Sequence, residues 1–115
     1  MQSNTYGKRS EIIATNYLKE KGYKILESNY KNKVGEIDII AQDGEYIVFV
    51  EVKARASEAF GNPFEAINER KQYKIHQVAS LYLVQKRKYG KPCRFDAISI
   101  LGIENPEIRH IIDAF

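Results

Sequence analysis

Residues 35–53, GEIDIIAQDGEYIVFVEVK, constrain the fold of this chain more than any other segment. Two runs dense in Ile, Val, Phe and Tyr flank Asp43–Gly44, a dipeptide that favours a tight hairpin turn. Strand side chains alternate between faces. Tyr46, Val48, Val50 and Val52 therefore share one face of the second run, matched by Ile37 and Ile39 on the first. Ile47 and Phe49 lie on the opposite face with Ile40. A hairpin apolar on both faces must be covered on both sides, so helices are expected above and below it.

Glu36, Asp38, Glu51 and Lys53 interrupt this apolar pattern. A two-residue Asp43–Gly44 loop pairs Gln42 with Glu45, Ile40 with Ile47, Asp38 with Phe49 and Glu36 with Glu51. Asp38 and Glu51 are then diagonal neighbours. A four-residue loop shifts the pairing by two and sets Asp38 directly opposite Glu51. Either loop gathers the acids on one face; a three-residue loop separates them. Carboxylates crowded at the end of a buried hairpin must take up protons, find a cation or reach water. Lys53 is one cation against three acids. Oxygen ligands at this density suit Mg²⁺ or Mn²⁺, which can activate a water and stabilise charge on a phosphoryl group. The bland alternative is a salt-bridged strand end, because D-x(n)-E-x-K is a short pattern.

The remaining segments supply the cover. Residues 8–21 read as a helix stopped by Gly22, with Ile13 and Tyr17 on one side, Ala14 and Leu18 adjoining, and Glu11 on the Ala14–Leu18 side. Residues 23–30 read as a strand and 56–62 as a loop. Asn62–Pro63–Phe64–Glu65 reads as a helix start, and the helical pattern runs to about Tyr89 with a break expected near 66–70. Ile67, Ile75, Val78, Ala79 and Tyr82 are its core candidates. Residues 93–101 read as a strand and 107–113 as a last edge strand. The expected order is α-β-β-β-α-β with one extra strand: an α/β fold with a mixed sheet flanked by helices.

With 115 residues, the chain is expected to form a single domain over 1–115. Its 43% apolar and 29% charged residues are ordinary for a soluble protein. No apolar run approaches bilayer length and the N-terminus shows no signal-peptide pattern, so no membrane partner and a cytoplasmic location are expected. Cys93 is the single cysteine, which leaves no internal disulfide and no thiolate zinc site. His76 and His110 have no metal-ligand spacing and read as packed or surface residues. The net charge of +3 is modest, but basic residues cluster around the hairpin and the helix after it. For any one cluster solvated surface is the favoured reading, with part of a phosphate-binding face as the other.

Several stretches together resemble one family: GKRSEIIATNYLKEKGYKILESNY, GEIDIIAQDG, YIVFVEVKAR, FGNPFEAINERKQYKI, RFDAISI and HIIDAF. The chain resembles the bacterial YraN family of predicted endonucleases, distantly similar to archaeal Holliday-junction resolvases. The resemblance implies a restriction-endonuclease-like fold and a metal-dependent nuclease that hydrolyses DNA phosphodiesters, with branched or repair structures as substrates. It implies Asp38, Glu51 and Lys53 as catalytic residues, with Glu11 from the first helix beside them. Asp38, Glu51, Glu11 and Glu36 would hold Mg²⁺ or Mn²⁺. Gln72 sits where related nucleases often place a glutamine, although His76 stands where the exonuclease type has tyrosine. Lys8, Lys33, Arg55, Lys71 and Lys74 are the candidate contacts to DNA, and a homodimer is the expected assembly for two symmetric cuts. The alternative is a nucleic-acid-binding module of the same fold with little or no catalysis.

Overall fold

The computed structural model describes residues 3–57, 67–88, 90–102 and 104–115. It contains α1 (Ser3–Glu20), β1 (Lys24–Lys31), β2 (Glu36–Asp43), β3 (Tyr46–Arg55), α2 (Glu69–Gln85), β4 (Cys93–Leu101) and β5 (Glu107–Ile111). The strands form one five-stranded sheet in the order β1-β2-β3-β4-β5. Only β3 and β4 run parallel, which is the pair joined through α2; the other neighbours are antiparallel. This is the expected α/β order with the extra strand, and it is compatible with a restriction-endonuclease-like fold.

Strand alternation divides the core into two layers. Val48 and Val50 of β3 face α1, where they pack with Ala14, Leu18, Ile39, Ala41, Ile98 and Ile100. Ile47 and Phe49 face α2 and pack with Ile40, Ile75, Val78, Ala79 and Tyr82. All five core candidates from the second helical stretch are buried. On α1 the fully buried pair is Ala14 and Leu18, while Ile13 and Tyr17 flank them half-buried. Gly22 stops α1 with φ at 95°. Tyr23 N–H donates to Leu18 O and Gly22 N–H to Lys19 O, both at 3.0 Å, which completes a Schellman cap.

The hairpin turn differs from expectation by one position. The loop is Gly44–Glu45, closed by the Asp43–Tyr46 pair. Gly44 takes φ of 61° at the first central position, where a type II′ turn requires glycine, and Glu45 keeps a negative φ. The register moves by two as a result. Ile40 pairs with Phe49 rather than Ile47, and Ile39 with Val50. The loop is still even, so parity survives, and continuing the pairing by one step sets Asp38 opposite Glu51. Strict alternation fails at that step: Ile37 packs in the α2 layer while Ile39 packs in the α1 layer. The expectation that both share one face is corrected, because β2 turns away from β3 at Asp38.

Other boundaries also shift. α1 begins at Ser3 rather than residue 8, and β5 stops at Ile111 rather than 113. α2 starts where the break was expected: Asn68 is its N-cap, its side chain accepting from Lys71 N–H at 2.9 Å. The expected start at Asn62–Pro63 lies outside the described residues. α2 ends at Gln85, earlier than Tyr89, and Arg87 follows with φ of 55°.

One buried polar network crosses the sheet. Asp96 on β4 is 0% exposed. It accepts from Arg94 through both oxygens, from Asp113 N–H at 3.0 Å, and contacts His110 Nε2 at 2.8 Å. Arg94 also donates to Asp43 at 3.0 Å and to Tyr23 Oη at 2.6 Å, and His110 Nδ1 lies 3.3 Å from Tyr17 Oη. Burial alone would raise the Asp96 carboxyl, but His110, Arg94 and the Asp113 amide outweigh it and hold it below 3.8. Removing one partner of such a cluster strands the other charge. Asp96→Ala should lower unfolding free energy by about 3–5 kcal/mol. A depressed carboxyl contributes stability above its unfolded value and loses it as pH falls through the folded one. The urea-midpoint gap between wild type and Asp96→Asn should therefore be full at pH 7 and close below about pH 4.

Candidate active site

Where β2 leaves β3, a side chain takes over from the backbone ladder. The Asp38 carboxylate accepts the Val52 N–H at 2.8 Å. Glu51, only 6% exposed, receives the Asp38 backbone N–H and shares a hydrogen bond with the Asp38 carboxyl. Lys53 follows two residues along the same strand face, and α2 brings Lys71 and Lys74 over it. Together with Glu36 these groups bound a cavity of about 410 Å³. Gly35 permits this approach: a Cβ there would stand 3.1 Å from Val78 Cγ2 and 3.7 Å from Lys74 Cγ.

The electrostatics are those of crowded, partly dried charges. Burial pushes the Glu51 carboxyl up to about 7, and the Asp38 charge adds to it; Lys53 and Lys71 oppose. Burial likewise raises Asp38, against the Val52 N–H and Lys53. Lys53 is lowered, first by burial and then by Lys71 beside it. The pair of acids thus holds protons more tightly than either acid would alone, and Lys53 gives up its proton more readily than an exposed lysine does.

Glu11 on α1 is half-buried and hydrogen-bonded to Asn29. Burial raises its carboxyl, and the charges of Asp38 and Glu36 raise it further. It lines a second cavity, of about 520 Å³, between α1 and the sheet, which also takes in Lys8 and Asp38. Asp38 is thus common to both cavities. Glu36 is exposed at the rim. Gln72 is not brought to the acids: its amide donates to Ile67 O at 3.1 Å, and it lines a separate cavity with Ala97 and Phe115. Arg55 ends β3 and donates to Ala54 O. Lys33 is exposed on the β1–β2 loop, outside both cavities. His76 stacks on Phe95 at 3.8 Å between centroids, and His110 belongs to the Asp96 network. Asn29, with φ of 52° inside β1, escaped sequence reasoning because an asparagine in a strand carries no positional signal.

The donor set fits a hard divalent ion. Among the described residues no three His, Cys, Asp or Glu side chains stand close enough together to hold a metal ion between them. Mg²⁺ does not need three; it is commonly held by one or two carboxylates, keeping waters and phosphate oxygens for the rest. Asp38 and Glu51 supply that pair, with Glu11 and Glu36 nearby in charge.

A carboxyl raised in the folded state binds protons that the unfolded chain has released, so stability falls as pH rises through that window. Without divalent ions, Glu51→Gln should therefore stabilise the protein at pH 8 by up to about 3 kcal/mol and make little difference below pH 4.5, its ordinary value. Urea denaturation at the two pH values checks this.

Residues 10–100 match the model of the family described as "Uncharacterised protein family UPF0102". A UPF0102 protein of Clostridioides difficile is 45% identical over 115 residues, covering 100% of both chains. One of Clostridium kluyveri is 46% identical over 112 residues, covering 95% of this chain and 92% of its own. One of Thermodesulfovibrio yellowstonii is 48% identical over 109 residues, covering 95% and 94%.

Proposed function

This chain belongs to the UPF0102 family, and on that premise we propose that it is a metal-dependent nuclease hydrolysing DNA phosphodiesters. The observation that carries the reading is buried Glu51 beside half-buried Asp38, with Lys53 on the same strand face and Lys71 and Lys74 opposite. A fold has no use for two acids whose protonation burial disturbs unless something compensates them. Three lysines around the same cavity supply positive charge for a phosphate, which a purely structural acid pair does not call for.

Asp38 and Glu51 would hold Mg²⁺ or Mn²⁺, with Glu11 and Glu36 as the further candidate ligands. Bound there, such an ion supplies Lewis-acid stabilisation of the phosphoryl charge and a more acidic water. The chain's own residues do the rest. Val52 N–H fixes the orientation of Asp38. Lys53 Nζ, whose pKa burial and Lys71 lower, would orient the attacking water or steady the scissile phosphate. Lys71 and Lys74 position the backbone, contributing salt-dependent affinity without sequence preference. The resemblance to resolvases extends this reading to branched DNA and to a homodimer, since two symmetric cuts need two sites.

The test is cleavage of linear, single-stranded, flapped and four-way DNA with Mg²⁺ or Mn²⁺. Asp38→Ala and Lys53→Ala should each lower the rate by about 10²-fold or more, and EDTA should abolish it. Lys71→Ala should weaken binding of all DNA forms alike and reduce the slope of log affinity against log salt by about one. Salt-sensitive binding with no cleavage under any metal would overturn the enzyme in favour of a binding module.

A further inference from the structure

The carboxylate–lysine cavity accounts for only one side of Asp38. On its other side lies the larger cavity of about 520 Å³ between α1 and the sheet. Its volume falls in the roughly 300–1,000 Å³ range of small-ligand sites. Its walls combine two chemistries. Ile12 presents apolar surface, being 59% exposed with no place in either core layer, above the fully buried Ile39. Thr15, Asn16 and Asn29 present hydroxyl and amide groups able to donate and accept. Lys8 adds a cation. Apolar faces with amide edges suit a planar heteroaromatic ring that carries its own donors and acceptors. Asn29, at the sheet side of this cavity, takes φ of 52° within β1, a left-handed conformation that asparagine adopts more readily than most side chains.

We propose that this cavity is a subsite for one unstacked nucleobase of the strand whose phosphate lies at Asp38. The inference rests on the nuclease reading and adds what the substrate must offer: a nucleotide free to leave its stack, as at a single strand, flap or branch point. Because Asp38 walls both cavities, a base in one and its adjoining phosphate in the other lie a nucleotide apart along a single strand. A continuous duplex would have to give up stacking to fill the subsite, so it would be the poorer ligand.

The experiment uses flapped and fully duplex oligonucleotides carrying 2-aminopurine at successive positions, bound to the full chain in EDTA. One position next to the branch should change its emission on binding. An abasic site at that position should weaken flap binding roughly 5- to 150-fold, the worth of one base contact, and leave duplex binding unchanged. This DNA-side substitution does not depend on any variant folding. Thr15→Trp, which fills the cavity from α1, should abolish the emission change and reproduce the abasic loss, with its thermal melt confirming the fold. Unchanged emission at every position, or an abasic site without effect while flap DNA is still bound, would overturn the subsite and leave the nuclease standing. Absence of binding to any DNA would overturn both.

Discussion

The register between β2 and β3 is the constraint on which the rest of the molecule depends. Gly44 in a left-handed conformation closes the hairpin at Asp43–Tyr46, and every later pairing follows by counting. That count delivers Asp38 opposite Glu51 at the point where the backbone ladder ends, and Val52 N–H is donated to a carboxylate instead of a carbonyl. A slip of one residue would turn Glu51 and Lys53 toward α1 and carry Ile47 and Phe49 out of the α2 layer. The same alternation that builds both core layers therefore also assembles the site. Packing enforces the geometry of the acids, although the acids themselves resist it.

The protein holds two groups of buried acids, and they are treated in opposite ways. Asp96 is surrounded by a guanidinium, an imidazole and a backbone amide, all within 3.0 Å, and its carboxyl stays below the usual range. It ties α1, the end of β2, β4 and β5 together. Asp38 and Glu51 have each other, the Val52 amide and Lys53, whose own pKa burial lowers. A fold able to satisfy Asp96 so fully leaves the carboxyls of Asp38 and Glu51 raised, and that contrast is what supports the proposal of a divalent ion there.

Much of this was legible beforehand, and for identifiable reasons. The apolar-on-both-faces hairpin required helices on two sides, and α1 and α2 are there. Gly22 stops α1 as expected because capping is local chemistry, whereas Asn68 caps α2 where the pattern marks only a break near 66–70. The turn lies one position beyond Asp43–Gly44, in the register of the four-residue alternative, because Asp-Gly and Gly-Glu both satisfy a two-residue loop. Ile37 was misassigned because alternation cannot foresee a strand twisting away from its neighbour. The Asp96 network was invisible, since Asp43, Arg94, His110 and Tyr17 are far apart along the chain and share no periodic pattern.

The sequence by itself determined which residue types lie on one face of the hairpin, because side-chain parity is a property of a strand and survives any even loop. It therefore grouped Asp38, Glu51 and Lys53 on condition of an even loop, which the Asp43–Tyr46 closure supplies. Only the tertiary structure decided what surrounds them. The approach of Lys71 and Lys74 across Gly35, the separation of Glu11 into a cavity behind Asp38, and the removal of Gln72 to another surface all depend on how helices dock on a twisted sheet. That docking is set by the summed packing of two core layers, which no local pattern of residues records.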